Sequence, residues 1–276
     1  MTGGTMQEPR QARVVIPGLP AVSPLGLSGH YHLPERGFHL AVEAGIGLFF
    51  FEPNYASMGR FVRSLPPSQR SRLQLTGGTF AADPKKILKD IERLLRLLRR
   101  ERIELFLMFW TRSWTRISDE AIEVLEAARA SGKIHTFSLS THNLSLAAEA
   151  IDRGYDPVMV RHNAAHHRAE TEVLPQAVRQ ARRVVLFNTT CYGRLLGPRP
   201  DAPDAPSAAD CLRYGVSQEG AAACWTAPAT IDQLTENLQV LDDPELPAER
   251  LEHLLKRAAR IREMDRAVRE NLRDRE

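Results

Sequence analysis

Residues 103–140 read IELFLMFWTRSWTRISDEAIEVLEAARASGKIHTFSLS. An apolar run at 103–110 is followed by an amphipathic one at 119–130, which stops at Gly132, and then by a second apolar run at 134–140. Glycine just past the last periodic residue is a common helix stop, because it enters the left-handed region without steric cost. The stretch is a strand, a helix and a strand, and the unit recurs on both sides of it. The expected strands are 23–30, 47–52, 73–76, 103–110, 134–140, 158–163, 184–189 and 221–225, after an opening strand-like piece at 13–16. Helical patterns lie between and after them at 35–44, 58–65, 84–101, 119–130, 144–152, 171–181, 208–216 and 231–240. In the third of these Pro84 holds a start position, and Ile87, Ile91, Leu94, Leu95 and Leu98 share one face.

Most of these strands are apolar throughout, as in Gly47-Leu48-Phe49-Phe50-Phe51. That pattern suits parallel strands covered on both faces. Regular alternation of strand and helix predicts a parallel α/β sheet, and eight rounds predict closure into a (β/α)8 TIM barrel. The 276 residues fit one such barrel, which typically needs about 250. An open doubly wound sheet would place a glycine-rich phosphate turn after its first strand, and Gly26-x-x-Gly29 matches that poorly. Residues 1–276 are therefore expected to form a single barrel domain, with 1–12 a flexible N-terminus and 248–276 an added C-terminal helix. In that helix Leu251, Leu254, Leu255, Ala258, Ile261, Met264 and Val268 follow helical spacing. The proline-rich 197–206 segment, GPRPDAPDAP, is expected to be an irregular loop at the barrel mouth. Whether it acts as a lid stays open.

Composition is ordinary, 43% hydrophobic and 26% charged. No apolar run approaches the ~20 residues of a membrane span, and the first residues, MTGGTMQEPRQARVV, lack the apolar core of a secretion signal. Cys191, Cys211 and Cys224 are too few and too scattered for a disulfide framework or a CxxC metal site. These features predict a cytoplasmic protein with free thiols. A net charge of +3, from 37 basic and 34 acidic residues, gives no reason to expect a nucleic-acid partner. A small molecule is the expected partner, and the oligomeric state leaves no signature.

Several segments, in order, resemble the aldo-keto reductase superfamily across roughly residues 13–240. Pro24-Leu25-Gly26-Leu27-Ser28-Gly29 is similar to its first-strand LGLG segment, and Ala44-Gly45-Ile46-Gly47 followed by Phe50-Phe51-Glu52 to the run leading to its catalytic Asp. Residues 103–110 resemble its DLYLIHW strand, and Lys133-Ile134 through Ser138-Leu139-Ser140-Thr141-His142-Asn143 its KxRxxGVSNFN segment. Arg161-His162-Asn163 with Arg168-Ala169-Glu170 is similar to YN…RxxE, and Gln233-Leu234-Thr235-Glu236-Asn237-Leu238 to the helix that contacts the adenine end of the cofactor. Segments 161–170, 187–196 and 208–226 further resemble a divergent bacterial branch.

The resemblance implies NADPH-dependent carbonyl reduction by an Asp, a Tyr, a Lys and a His. It places Glu52 at the Asp position, Ser57 at the Tyr position with Tyr55 two residues short, Gly77 at the Lys position and Phe109 at the His position. The usual catalytic tetrad is thus lacking. On the cofactor side Ser140 matches, Thr141 and Met159 replace an Asn and a Gln, and the nicotinamide-supporting ring falls at Phe187 or Asn188. Ala227, Pro228 and Gln233 stand where the family grips the 2′-phosphate, so its charge-assisted bonds are missing. Asn237, beside Glu236, matches the adenine contact. The cofactor is left open: none, or NAD(P) held through Ser140 and Asn237.

Barrel enzymes work at the C-terminal ends of their strands. Alternation pairs Glu52 with Phe50, Phe109 with Leu107, and Arg161 with Met159 and Asn163 on inward faces, leaving His162 toward the helices. A buried Arg161 needs an anion, either Glu52 or a ligand carboxylate or phosphate. His30, His32, His142 and His162 together suggest a metal site, but the outward His162 and the lack of an Asp closing the last strand predict none. Cys191, just past the seventh strand, is either a mouth nucleophile or a half-buried filler. The expected catalytic groups are Glu52 as base, Tyr55 as acid, Arg161 as anion anchor, and Cys191. The expected substrate-binding residues are His30, Phe109, Trp110, His142, Asn163 and Tyr192, with Trp114 and Trp225 as further walls. Three readings follow: a lyase, isomerase or cyclase; an NAD(P)H-dependent oxidoreductase with a relocated Tyr acid; or a non-catalytic binding protein on the same scaffold.

Overall fold

Eight parallel strands close into a barrel in chain order. They are β1 (Leu25–Ser28), β2 (Leu48–Phe50), β3 (Gln74–Thr79), β4 (Ile103–Met108), β5 (Ile134–Thr141), β6 (Val158–Arg161), β7 (Val184–Phe187) and β8 (Ala221–Thr226). The computed structural model describes residues 11–196 and 205–273. Residues 1–10 of the expected N-terminal arm and 197–204 of the expected proline-rich loop lie outside the described residues. Closure runs through β8 and β1, which pair Leu25 with Cys224, Gly26 with Trp225 and Leu27 with Thr226. The expected TIM barrel is what the chain forms.

Helices α1 (Glu35–Glu43), α2 (Ala56–Ser64), α3 (Pro67–Arg70), α4 (Pro84–Leu98), α5 (Asp119–Ala130) and α6 (Leu144–Asp152) cover the first half. The second half carries α7 (Ala169–Glu172), α8 (Leu174–Arg179), α9 (Ala208–Val216), α10 (Ile231–Asp242) and α11 (Ala248–Arg273). Local chemistry sets their ends. In α4, Asp83 accepts the Lys86 amide at 2.9 Å, Pro84 opens the first turn, and Ile87, Ile91, Leu94 and Leu98 are buried. The single helix expected at 171–181 is instead two short pieces, α7 and α8. Pro175 lies in the first turn of α8, has no N–H to give to the turn before it, and disfavours helical backbone at its predecessor. The strand-like piece at 13–16 reduces to one antiparallel bridge, Arg13 to Val22. Arg13 Nη1 there holds the carbonyls of Val216 and Ala221 at 3.0 and 2.8 Å, closing the N-terminal end of the barrel.

One buried charge cluster ties β4 to the loop before β3. Glu104 Oε1 lies 2.6 Å from Arg100 Nη2, and its other oxygen accepts the Leu75 amide at 2.9 Å. Arg100 also donates to the carbonyls of Arg70 and Leu73. Burial pushes the Glu104 carboxyl up against the pull of Arg100, and pushes the Arg100 guanidinium down against the pull of Glu104.

Helix α11 lies along one side of the mouth. Leu254, Ala258 and Ile261 are buried against Ala164, Ala165, Cys191, Leu195 and Cys211. Such burial is worth roughly 1.5–3 kcal/mol for each large side chain. Leu255 and Met264, expected on the same face, are 41% and 62% exposed. Polar ties add to the seam: Arg194 to Asp265 at 2.7 Å, Arg257 Nε to the Arg194 carbonyl at 3.1 Å, and Arg250 to Asp210 at 2.5 Å. Burial alone would raise the Asp210 carboxyl, but Arg250 and the Ser207 amide outweigh it and hold it below its ordinary value. A depressed carboxylate stabilises the fold above its unfolded pKa of about 3.9, and that contribution is lost as pH falls through the lower folded value. Asp210→Asn is accordingly expected to cost roughly 1–3 kcal/mol at neutral pH and to flatten the acid side of a urea-midpoint profile below about pH 4. Equal acid sensitivity in both proteins would rule this out. No helix among the described residues is long and apolar enough to cross a membrane.

Candidate active site

The C-terminal strand ends open on a cleft of about 710 Å³. Alternation sends Phe50 from β2, Met159 from β6, Phe187 from β7 and Trp225 from β8 into it, so its floor is apolar and aromatic. Phe50 and Trp225 meet edge to face with centroids 5.4 Å apart. Gly26 on β1 makes room for that indole, since a Cβ there would sit 2.3 Å from Trp225 Cζ3. Gly26→Ala is expected to displace the indole and cost roughly 1–3 kcal/mol, read by chemical denaturation together with the near-ultraviolet dichroism of tryptophan. An unchanged aromatic signal would contradict this packing.

On one wall of the cleft three side chains form a hydrogen-bonded chain. Tyr55, 2% exposed, donates its hydroxyl to Glu52 Oε1 at 2.9 Å, and His30 Nδ1 lies 3.1 Å from the same hydroxyl. A phenol has one proton to give, and it goes to the carboxylate, so His30 Nδ1 must be the donor to Tyr55. In a neutral imidazole Nε2 is then left as an acceptor. Burial first, then the Glu52 charge, push the Tyr55 phenol far above its ordinary range. Tyr55, expected as the acid, lines the cleft and links Glu52 to His30. His30 is exposed and stands edge-on to Tyr31, with centroids 4.6 Å apart.

The other expected residues scatter. Tyr192 stands at the cleft rim, and Asn237 lines its far end. Arg161 keeps the inward parity of Met159, but its guanidinium lines a second cavity with His142, and no Arg161–Glu52 pair forms. Phe109 is buried beneath Phe50, 5.4 Å between rings, and lines neither cavity. Trp110 turns outward at φ +52° and lies 49% exposed, with Arg112 over its ring. Asn163 spends its side chain on the turn after β6, accepting the Ala165 and His166 amides and donating to the Asn188 carbonyl. Cys191 is no mouth nucleophile: α11 covers it, it is 2% exposed, and burial pushes its thiol up, with His166 Nδ1 3.8 Å from Sγ. His162 faces the helix layer as expected, bonded to Glu170 at 2.8 Å and stacked on Tyr214. Trp114 lies in the helix layer against Tyr155 and Arg153. Among the described residues no cluster of His, Cys, Asp or Glu is arranged to hold a metal. Among the cleft residues that escaped the sequence reading are the hydroxyl-bearing Ser28 at the end of β1, Thr189 and Thr190 after β7, and Thr226 at the end of β8. A lone hydroxyl at a strand end carries no periodic signal.

The sequence model of the Aldo/keto reductase family matches residues 56–198, just over half of the chain. The chain belongs to that family. Among solved structures it is similar to aldo-keto reductase AKR11C1 from Bacillus halodurans in its holo form, at 20% identity over 89% of this chain and 96% of that one, with a TM-score of 0.75. Glycerol dehydrogenase AKR11B4 from Gluconobacter oxydans aligns at 20% identity over 90% and 95%, TM-score 0.70. An aldo/keto reductase from Klebsiella pneumoniae, solved with NADP and acetate, aligns at 18% over 88% and 94%, TM-score 0.69. At such identities the likeness shows the fold. No curated protein sequence matches.

Aldo-keto reductase membership implies a nicotinamide cofactor, and the residues of this cleft fit it poorly. Ser140 Oγ is held by the Trp110 amide at 3.0 Å and does not line the cleft. The Thr141 hydroxyl is spent on the Thr111 carbonyl and the Asn143 amide, and Met159 offers no polar group. At the other end Gln233 Oε1 holds the Ala229 amide at 2.8 Å, beside Ala227 and Pro228. No Lys or Arg lines the cleft among the described residues. The amides of 191–196 are all paired within the loop after β7, leaving none for a pyrophosphate. What fits is less: Asn237 Nδ2 donates to Thr226 at 2.8 Å and its buried Oδ1 has no partner, Asn188 Nδ2 is likewise buried without one, and the Phe187 ring lines the cleft. In the position an aldo-keto reductase gives its Lys, Gly77 points at Leu94 in the helix layer while Gly78 is the inward residue, against Phe109, so neither supplies an ammonium.

Proposed function

We propose that this aldo-keto reductase homologue acts on a neutral small molecule by proton transfer, as an isomerase, lyase or cyclase, without nicotinamide hydride chemistry. The observation that carries the reading is the Glu52–Tyr55–His30 chain on the wall of an apolar cleft without cations among its described residues. His30 Nε2 takes a proton from the substrate. The imidazolium that forms keeps its Nδ1–H on Tyr55, whose own proton is held by Glu52, so the new charge is stabilised through the chain. The same nitrogen then returns the proton to a neighbouring atom or to a leaving hydroxyl. The aromatic floor of Phe50, Phe187 and Trp225 holds the substrate and keeps water out. With carboxylates and no guanidinium around it, the cleft selects against anionic substrates.

The test is titration of the purified protein with NADPH and NADH, followed by calorimetry. The expected result is no saturation in the micromolar range (about −8 kcal/mol). Micromolar binding of either would instead favour the second reading, an oxidoreductase gripping its cofactor through Asn237, whose unpaired Oδ1, with the unpaired Nδ2 of Asn188, favours it. Both readings belong to a cytoplasmic enzyme of small molecules.

A further inference from the structure

A second cavity, of about 770 Å³, opens between the loops after β5 and β6 and helix α11. Its guanidinium groups are Arg161, Arg168, Arg262 and Arg266, and its carboxylates are Glu172, Glu263 and Asp265. Two of the carboxylates have arginine partners: Glu172 lies 2.6 Å from Arg168 Nη2, and Asp265 2.7 Å from Arg194 Nη2. Arg262 Nη1 donates to the Ala164 carbonyl at 2.8 Å, which pins its guanidinium at the cavity edge with further N–H groups to give. Arg161, half-buried at the end of β6, has neither a carboxylate nor a carbonyl partner among the described residues. The charged groups acting on its neighbour His142 are Arg161 itself and Arg112, so the local field is positive. Glu52 cannot supply the missing anion, because it lines the other cleft, beyond the wall made by Phe187 and His142, whose rings meet 5.2 Å apart.

A guanidinium that faces a cavity with no carboxylate or carbonyl on it has its forked N–H groups to offer to an incoming anion. We propose that this cavity binds a compact, multiply charged oxyanion of the phosphate or phosphomonoester kind, with Arg161 at its base and Arg262 on its α11 wall. A flat carboxylate is satisfied by one guanidinium fork, whereas a tetrahedral oxyanion accepts from several directions at once. Here the forks approach from two different elements, the barrel and α11. Such an ion would fasten α11 to the loop after β6. The inference does not rest on the acid–base reading of the cleft.

Calorimetric titration at constant ionic strength with inorganic phosphate, glycerol phosphate and succinate, against chloride, tests it. Phosphate and glycerol phosphate are expected to bind, inorganic phosphate alone if the ester group is not accommodated, and succinate to bind at least tenfold more weakly. Arg161→Gln and Arg262→Gln are each expected to weaken phosphate binding roughly ten- to a hundredfold, while Arg60→Gln on α2, paired only with the exposed Glu35, leaves it unchanged. If Arg161→Gln does not fold, Arg262→Gln decides alone. Heats no larger than those of chloride, equal affinity for succinate, or undiminished binding in the folded variants would overturn the proposal.

Discussion

Glu104→Ala is expected to lower the unfolding free energy by about 3–5 kcal/mol, measured by urea denaturation at neutral pH. The loss follows from what stays behind. Arg100, with 7% of its side chain exposed, would keep its charge and lose the carboxylate 2.6 Å away. The Leu75 amide would lose its acceptor as well. The directions in which burial pushes the two groups, the carboxyl up and the guanidinium down, say that desolvation outweighs their attraction. The double variant Arg100→Leu with Glu104→Leu is therefore expected to be much less destabilised than the single alanine variant, because no unpaired charge remains. A double variant as unstable as the single one would mean that the cluster holds the β3–β4 end through its backbone bonds rather than through charge balance.

His30→Gln is expected to lower kcat/KM by about 10²- to 10⁴-fold, with the thermal midpoint unchanged, on a substrate found by screening neutral ligands. Tyr55→Phe and Glu52→Gln break the same chain one and two links from the reacting atom, and smaller losses are expected in them. The chain also has a signature that needs no substrate. Because Tyr55 gives its proton to Glu52, His30 is expected to carry its proton on Nδ1, the tautomer visible in nitrogen-15 spectra of the imidazole. Tyr55→Phe removes the acceptor, and the preference for Nδ1–H is expected to disappear. A merely structural Tyr55 would lower the midpoint and leave the tautomer alone. Full activity in His30→Gln would end the proton-transfer reading.

The barrel was legible because its signal is periodic and local. Most of the eight strands are apolar runs, and each is followed by an amphipathic stretch that buries one face, as Ile87, Ile91, Leu94 and Leu98 do. Strand ends were less legible. The run 103–110 leaves the sheet at Met108 because Trp110 takes a left-handed backbone, which hydropathy does not encode. Site residues were read through alternation, which gives the direction of a Cβ and nothing beyond it. That sufficed for Phe50 and Met159, short enough to stay where their Cβ points. It failed for Arg161, whose long side chain carries its charge into another cavity. Cys191 was misjudged for a different reason. Its cover is Leu254, Ala258 and Ile261, some sixty or more residues downstream, and no local pattern announces that contact. The link between His30 and Tyr55 likewise spans 25 positions and arises only when the loops after β1 and β2 meet at the mouth.

The placement of the indoles gives this molecule a pair of native optical gauges. Of its three tryptophans, Trp225 lies in the cleft floor over Gly26, its Nε1 without an acceptor. Trp110 stands on the outside, its ring 6.0 Å from that of His142, which lines the second cavity. Filling the first cavity would shift the emission of a dry, inward fluorophore, and filling the second would disturb a wet one. The colour of the change would tell which compartment a compound has entered.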